Sequence, residues 1–320
     1  MNPLWGALVG FGFAFVPAPL VLSGLRRLGG QPIRTDGPAT HLVKAGTPTM
    51  GGVLFVAGLV AAVVLFFRQD PPAWTLAGVA VLSGLMGAMD DLRKLRRRQS
   101  LGLKARHKLA LGLVMGVALA AVADGPLGLS TWIHVPFGIA GGRVDLGPWY
   151  FVVVPLVLVA TTNAVNLADG MDGLAGGLSL IALTLFAAVA VGEGETDMAG
   201  CALAAAGACA GFLYYNVYPA RVFMGDLGAF FLGGALAALA VLTRWELLLV
   251  LVGLVFVLEA LSDIVQVVYF RRRGRRLLRM APLHHHFELG GMPPQTVVYL
   301  FWAGGLLAAL VGIWSLGWVA

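Results

Sequence analysis

Ten stretches of this chain are apolar for long enough to decide its class before any other feature is weighed. They cover residues 4–25, 50–67, 74–89, 109–123, 149–162, 174–191, 198–215, 229–242, 247–270 and 297–319. A helix needs about 20 apolar residues to cross the hydrocarbon of a bilayer, and fewer where it is short or partly covered. With 59% apolar and only 12% charged residues, against roughly a quarter charged in a water-soluble domain, the chain has no room for a separate soluble unit. The sequence therefore predicts an all-α polytopic membrane protein, a single integral membrane domain over residues 1–320 with ten transmembrane helices. The first run is long enough to be kept as a span rather than removed as a signal. Cys201 and Cys209 lie together in one apolar run and read as small apolar residues.

Lys and Arg fix the orientation. Alternate loops carry Arg26, Arg27, Arg34 and Lys44; then Arg93, Lys94, Arg96, Arg97, Arg98, Lys104, Arg106 and Lys108; then Arg221; then Arg271, Arg272, Arg273, Arg275, Arg276 and Arg279. The other set holds only Arg68, Arg143 and Arg244. Positive charge concentrates in cytoplasmic loops, so the basic set is expected in the cytoplasm and both termini outside. The net charge of +6 is then a topological signal, and no nucleic-acid partner is expected. The outer loops are short except for residues 125–148, rich in Gly and Pro, where a small external β-hairpin is expected between the fourth and fifth helices. His134 in that loop reads as an interfacial residue.

The expected cytoplasmic loops hold the chemistry. Asp90 and Asp91 end the third apolar run, where adjacent carboxylates need a cation, a metal or a held proton; Lys94 is one helical turn away. Residues 44–52, Lys-Ala-Gly-Thr-Pro-Thr-Met-Gly-Gly, combine hydroxyls with irregular backbone that can either hold phosphate or start a helix. Residues 163–173 place Asn163, Asn166, Asp169 and Asp172 in eleven positions with no basic residue among them. Residues 215–228 bring Asn216, Arg221, Phe223 and an Asp226 flanked closely by glycines, which leave space for a large ligand. His284, His285 and His286 are consecutive; residues about 100° apart on a helix cannot all reach one metal, so at least one is structural. Glu259, Asp263 and Gln266 share one face of the ninth run, which must point into the bundle. Glu259 reads equally well as structural.

Carboxylates, cations, a Thr/Gly loop and histidines on one side of a membrane are the inventory of phosphoryl transfer to a lipid. A lipid flippase is the reading from a different class; transporter sites lie near the bilayer midplane, whereas these motifs lie at its edge.

Across about residues 44–302 the chain resembles the bacterial phospho-N-acetylmuramoyl-pentapeptide-transferases. The resemblance rests on residues 46–52, Asp90-Asp91-x-x-Lys94, Gly102-Leu103-x-Ala105-Arg106, residues 163–173 and 216–226, and Ala281-Pro282 followed by the three histidines, Phe287 and Glu288. The aspartate motifs are common to polyprenyl-phosphate hexose-1-phosphate transferases; the histidine box is the more specific. The resemblance implies ten helices, often as a homodimer in the inner bacterial membrane, with the active site facing the cytoplasm. It implies transfer of phospho-MurNAc-pentapeptide from UDP-MurNAc-pentapeptide to undecaprenyl phosphate, giving lipid I and UMP with Mg²⁺. By resemblance Asp226 is the Mg²⁺ ligand, Asp90 is the base or nucleophile with Asp91 beside it, and the three histidines meet diphosphate or sugar. Lys44, Thr49, Asn166, Asp169, Gly170, Met171, Asp172, Asn216, Phe223 and Gln266 line the substrate pocket, with Phe223 stacked on uracil. Leu227 and Ala229 depart from the Thr and Ser usual after the metal aspartate. A sister transferase using UDP-N-acetylglucosamine is the nearest alternative.

Overall fold

Proline and glycine decide where the apolar runs become separate helices. The computed structural model describes residues 2–29, 46–97 and 102–317. The first run is split into α1 (Leu4–Phe15) and α2 (Ala18–Leu28), bent by 40° at Val16 and Pro17, because proline lacks the N–H and crowds the preceding turn. The second run yields only a short helix, α3 (Val53–Phe66). Its first residues form a turn instead, held against residues 223–224: Pro48 accepts from the N–H of Phe223, and Gly51 and Gly52 donate to the carbonyls of Phe223 and Met224.

The third run continues well past its apolar part as α4 (Pro71–Arg97), carrying the two aspartates and the following basic residues on helix. There follow α5 (Ala105–Asp124), α6 (Tyr150–Ala168), α7 (Leu174–Gly192), α8 (Thr196–Asn216) and α9 (Gly225–Leu242). The ninth run is broken at Gly253 into α10 (Glu246–Val252) and α11 (Leu254–Arg273), 80° apart. The single helix expected there is thus two, since the dihedrals of Gly253, φ −86° and ψ +17°, turn the chain out of the helical path. A six-residue helix α12 (Leu283–Glu288) carries the histidines before α13 (Pro294–Ser315).

Among the described residues seven helices are long and apolar enough to cross a membrane, and up to nine spans result if each bent pair counts once. The protein is a polytopic helical membrane protein. Every residue of α9 is buried; a helix apolar all round belongs in a bundle centre. Small residues let its neighbours close in. A Cβ on Gly87 of α4 would collide with the carbonyl of Asp226, and one on Gly52 with the backbone of Gly228. At the far end of α9, β1 (Trp132–His134) pairs antiparallel with β2 (Arg143–Asp145), Ile133 opposite Val144. His134 donates its N–H to the carbonyl of Arg244, stacks on Trp245 at 4.3 Å and lies 3.8 Å from Glu193.

Candidate active site

The first turn of α9 and the polar end of α4 meet to form the centre of the site. Asp90 and Asp226 face each other across two shared ammonium groups. Lys94 Nζ lies 2.7 Å from Asp90 Oδ2 and 3.0 Å from Asp226 Oδ1. Lys108 Nζ, from the start of α5, lies 3.3 Å from Asp90 Oδ1 and 3.4 Å from Asp226 Oδ2. Asn166 at the end of α6 donates to Asp226 Oδ1 at 3.2 Å, and the N–H of Leu103 donates to Asp90 Oδ1 at 2.6 Å. Two carboxylates this buried demand such compensation.

Asp91 turns elsewhere. It is 2% exposed, and its Oδ2 accepts the N–H of Leu227 at 3.0 Å. It thereby satisfies one of the free N–H groups that open α9, where a negative charge is favoured by the helix dipole. Gly225 makes the junction possible. Its φ of +71° suits glycine, and a Cβ there would come within 2.5 Å of Asp91 Oδ2 and 2.7 Å of Thr49 Oγ1. The glycines beside Asp226 thus serve close packing of protein against protein, rather than the ligand approach their sequence suggests. Met50, at φ +69°, is a non-glycine residue held in the left-handed region beside Thr49.

The loop between α6 and α7 is tied to the loop before α9. Asn216 accepts the N–H of Gly173 at 3.0 Å and donates to the carbonyl of Val222 at 2.9 Å; Asp172 accepts the N–H of Ala220 at 3.1 Å. These contacts hold Asp169, Gly170 and Met171 on one side and the half-exposed Phe223 on the other. Trp302 of α13 donates to the carbonyls of Gly173 and Leu174.

The histidine box meets this loop where His284 packs against Gly170. His284 is wholly buried, with Nδ1 2.8 Å from Oε2 of the equally buried Glu259. Burial pulls the His284 pKa down and the Glu259 carboxylate opposes that shift. His285 Nδ1 lies 3.3 Å from Glu288 Oε2, and His286 Nδ1 accepts the N–H of Arg279 at 3.1 Å. Gln266 accepts from the N–H groups of Leu277 and Leu278, both at 3.0 Å, and so clamps the basic loop after α11. Lys44 lies outside the described residues.

The structure therefore gathers Thr49, Asp90, Asp91, Asn166 and Asp226 around the start of α9, and joins the His284 end of the box to Gly170. Asn216, Asp172, His286 and Gln266 are placed to hold the loops that frame this centre. Lys108 and Glu259 take parts that sequence reasoning gave them only as a topological charge and as a buried acid of open role. Among the described residues no three His, Cys, Asp or Glu side chains are grouped as a metal cage.

Residues 73–244, more than half the chain, match the family described as Glycosyl transferase family 4, which sets the class as a membrane-embedded glycosyl transferase. Residues 44–56 match phospho-N-acetylmuramoyl-pentapeptide-transferase signature 1. Proteins named phospho-N-acetylmuramoyl-pentapeptide-transferase are similar over nearly the whole length. That of Moorella thermoacetica is 48% identical over 93% of this chain and 93% of its own. That of Desulforudis audaxviator is 47% identical over 96% and 97%, and that of Geobacillus kaustophilus 44% over 97% of each. The chain belongs to the phospho-N-acetylmuramoyl-pentapeptide-transferase family.

Proposed function

We propose that the protein transfers phospho-MurNAc-pentapeptide from UDP-MurNAc-pentapeptide to undecaprenyl phosphate, releasing UMP and forming lipid I. The observation that carries this reading is the pairing of Asp90 and Asp226 across Lys94 and Lys108, in a chain whose relatives bear that enzyme's name. An oxygen of the lipid phosphate forms a bond to the sugar-bearing phosphorus. The bond from that phosphorus to the bridging oxygen breaks, and UMP leaves. Asp90 takes the proton that the lipid phosphate still carries, Lys94 and Lys108 balance the charge that gathers on the phosphates, and Asp91 holds α4 against α9. Phe223 stacks on the uracil, with Thr49, Asn166 and the 169–172 loop around the nucleotide.

The donor set suits Mg²⁺. That ion keeps several waters and is held by one or two carboxylates together with substrate phosphates, not by an all-protein cage. Asp226 is the proposed ligand. Both its oxygens already face cationic or N–H donors, a sign that the position favours positive charge. Mg²⁺ bound there would supply Lewis-acid charge neutralisation on the diphosphate.

The proposed topology counts α3 as a tenth span, with both termini and the β1–β2 ribbon outside and the site facing the cytoplasm in the inner membrane. The support is the Lys/Arg asymmetry, together with the placing of the ribbon and the carboxylates at opposite ends of α9. A homodimer belongs to the same reading, on family resemblance. The test is release of UMP by purified protein with Mg²⁺ and undecaprenyl phosphate, comparing UDP-MurNAc-pentapeptide with UDP-N-acetylglucosamine. Release from the first alone is expected. Release from the second alone would assign the sister reaction, and release from neither would refute the transferase reading.

A further inference from the structure

Glu259 is a carboxylate on a helix whose neighbouring residues Leu258, Leu261 and Ile264 are exposed apolar side chains. Nothing in the transfer chemistry above uses it. Yet it is fully buried, and both its oxygens serve one residue. Oε1 accepts the backbone N–H of His284 at 3.2 Å, and Oε2 lies 2.8 Å from His284 Nδ1. A carboxylate at that distance from a ring nitrogen needs a proton between them. In a neutral imidazole with its proton on Nδ1, Nε2 carries a lone pair and only accepts. His284 Nε2 is buried and has no hydrogen-bond partner among the described residues. It lies against Gly170, where a Cβ would collide with it. The glycine in the 169–172 loop leaves room for this one nitrogen.

We infer that Glu259 is a positioning residue that locks His284 as a hydrogen-bond acceptor, and that Nε2 receives a hydrogen bond from a hydroxyl or N–H group of the soluble nucleotide sugar at Gly170. An ionised phosphate offers only acceptors, so Nε2 in this state cannot bind it; the contact is to a donor-bearing part of the substrate. This assignment rests on the transferase reading and narrows the role that resemblance gives to the first histidine. The lowered pKa of His284 agrees with a neutral ring. His285 adds to that lowering, while Glu259 and Glu288 oppose it.

Glu259→Gln tests it in the full-length protein. The backbone N–H of His284 claims the amide oxygen, so the amide NH₂ must face Nδ1, and the ring proton moves to Nε2. Volume is kept while the acceptor becomes a donor. The KM for UDP-MurNAc-pentapeptide should rise about tenfold, near the worth of one hydrogen bond, with kcat nearly unchanged and partial recovery in Glu259→Asp. Unchanged KM in the Gln protein would overturn the inference. Nitrogen-15 spectra of histidine-labelled wild-type protein stand independently of whether that variant folds. They should show a ring protonated on Nδ1, with its Nε2 resonance moving on addition of UDP or of UDP-MurNAc-pentapeptide. A ring protonated on Nε2, or a resonance that neither ligand moves, would also overturn it. If the wild-type protein releases no UMP, the spectra still read the binding contact apart from the reaction.

Discussion

The side chain of Asp91 accepts a hydrogen bond from the backbone N–H of Leu227, a residue 136 positions further along the chain. The bond fixes the end of α4 to the start of α9 and so sets where Asp90 and Asp226 stand. Asp91→Ala removes the acceptor and leaves a buried N–H unsatisfied, at a cost of about 1–3 kcal/mol. Asp91→Asn keeps an acceptor oxygen. Thermal unfolding in detergent should show a clear loss for the Ala protein and little change for the Asn protein. Equal melting temperatures for both would deny Asp91 this anchoring part.

Asp226 and Asp90 should separate by their response to metal. Asn at either position is expected to lower turnover at least about a hundredfold, roughly 2.7 kcal/mol of barrier. Asp226→Asn should also weaken the dependence on Mg²⁺, while Asp90→Asn leaves UDP-sugar binding nearly intact. Lys108→Gln removes one of the shared ammonium groups, so added Mg²⁺ should raise its melting temperature more than that of the wild type. Near-normal turnover of Asp226→Asn at saturating Mg²⁺ would remove Asp226 from the metal site.

Phe223 is half-buried, with its backbone fixed by Pro48 and Gly51. Phe223→Ala therefore removes a ring without loosening the loop. UDP binding measured by calorimetry should weaken about tenfold or more, the value of a stacked base. Unchanged affinity would place the uracil elsewhere.

Orientation is open to a labelling test, because Cys201 and Cys209 are both buried and give little background. A single cysteine at Arg97 should react only with reagents that reach the cytoplasm, and one at Arg143 with reagents applied outside sealed cells. The reverse pattern would invert the topology.

Stability should fall on mild acidification. Burial holds the His134 pKa below its ordinary value, aided by Arg143 and Arg244 and opposed by Glu193. A histidine with a lowered folded pKa contributes fully above the unfolded value of about 6.5. Below that value the unfolded chain takes up a proton that the native ring resists, so stability declines until the folded pKa is passed. Melting temperature should drop from neutral pH towards pH 5, and His134→Phe, which keeps a ring on Trp245, should flatten the drop. His284 is shifted the same way, so part of the slope should remain. An identical slope in the variant would show that His134 does not titrate in this range.

Much of this architecture was legible in the chain because carboxylates and amides at the edges of apolar runs stand out. Asp90, Asp169 and Asp226 could be picked by that contrast alone. The extent of α4 was not, since hydropathy ends at Met89 while helix propensity continues through Arg97. The break at Gly253 left no mark either, as one glycine among leucines and valines reads as ordinary membrane helix. Pro17 was a clearer sign, yet the surrounding run is long enough to pass for one span. Lys108 was hidden by distance: it meets an aspartate 118 positions away, and from sequence it counted only as a loop charge. Glu259 showed as an oddity, but its partner on α12 depends on how the chain turns after Gly274.

Gly87 touches no reacting group, yet it acts as the gauge block of the site. It stands three residues before Asp90 and lets α4 seat directly on the carbonyl of Asp226. A side chain of any size there would act as a wedge. The two helices would part at the level of the paired carboxylates, and neither Lys94 nor Lys108 could then span both. The tolerance of the proposed reaction centre is thus set by an atom that is missing. Drift at this position should abolish transfer while every chemically active side chain remains in place.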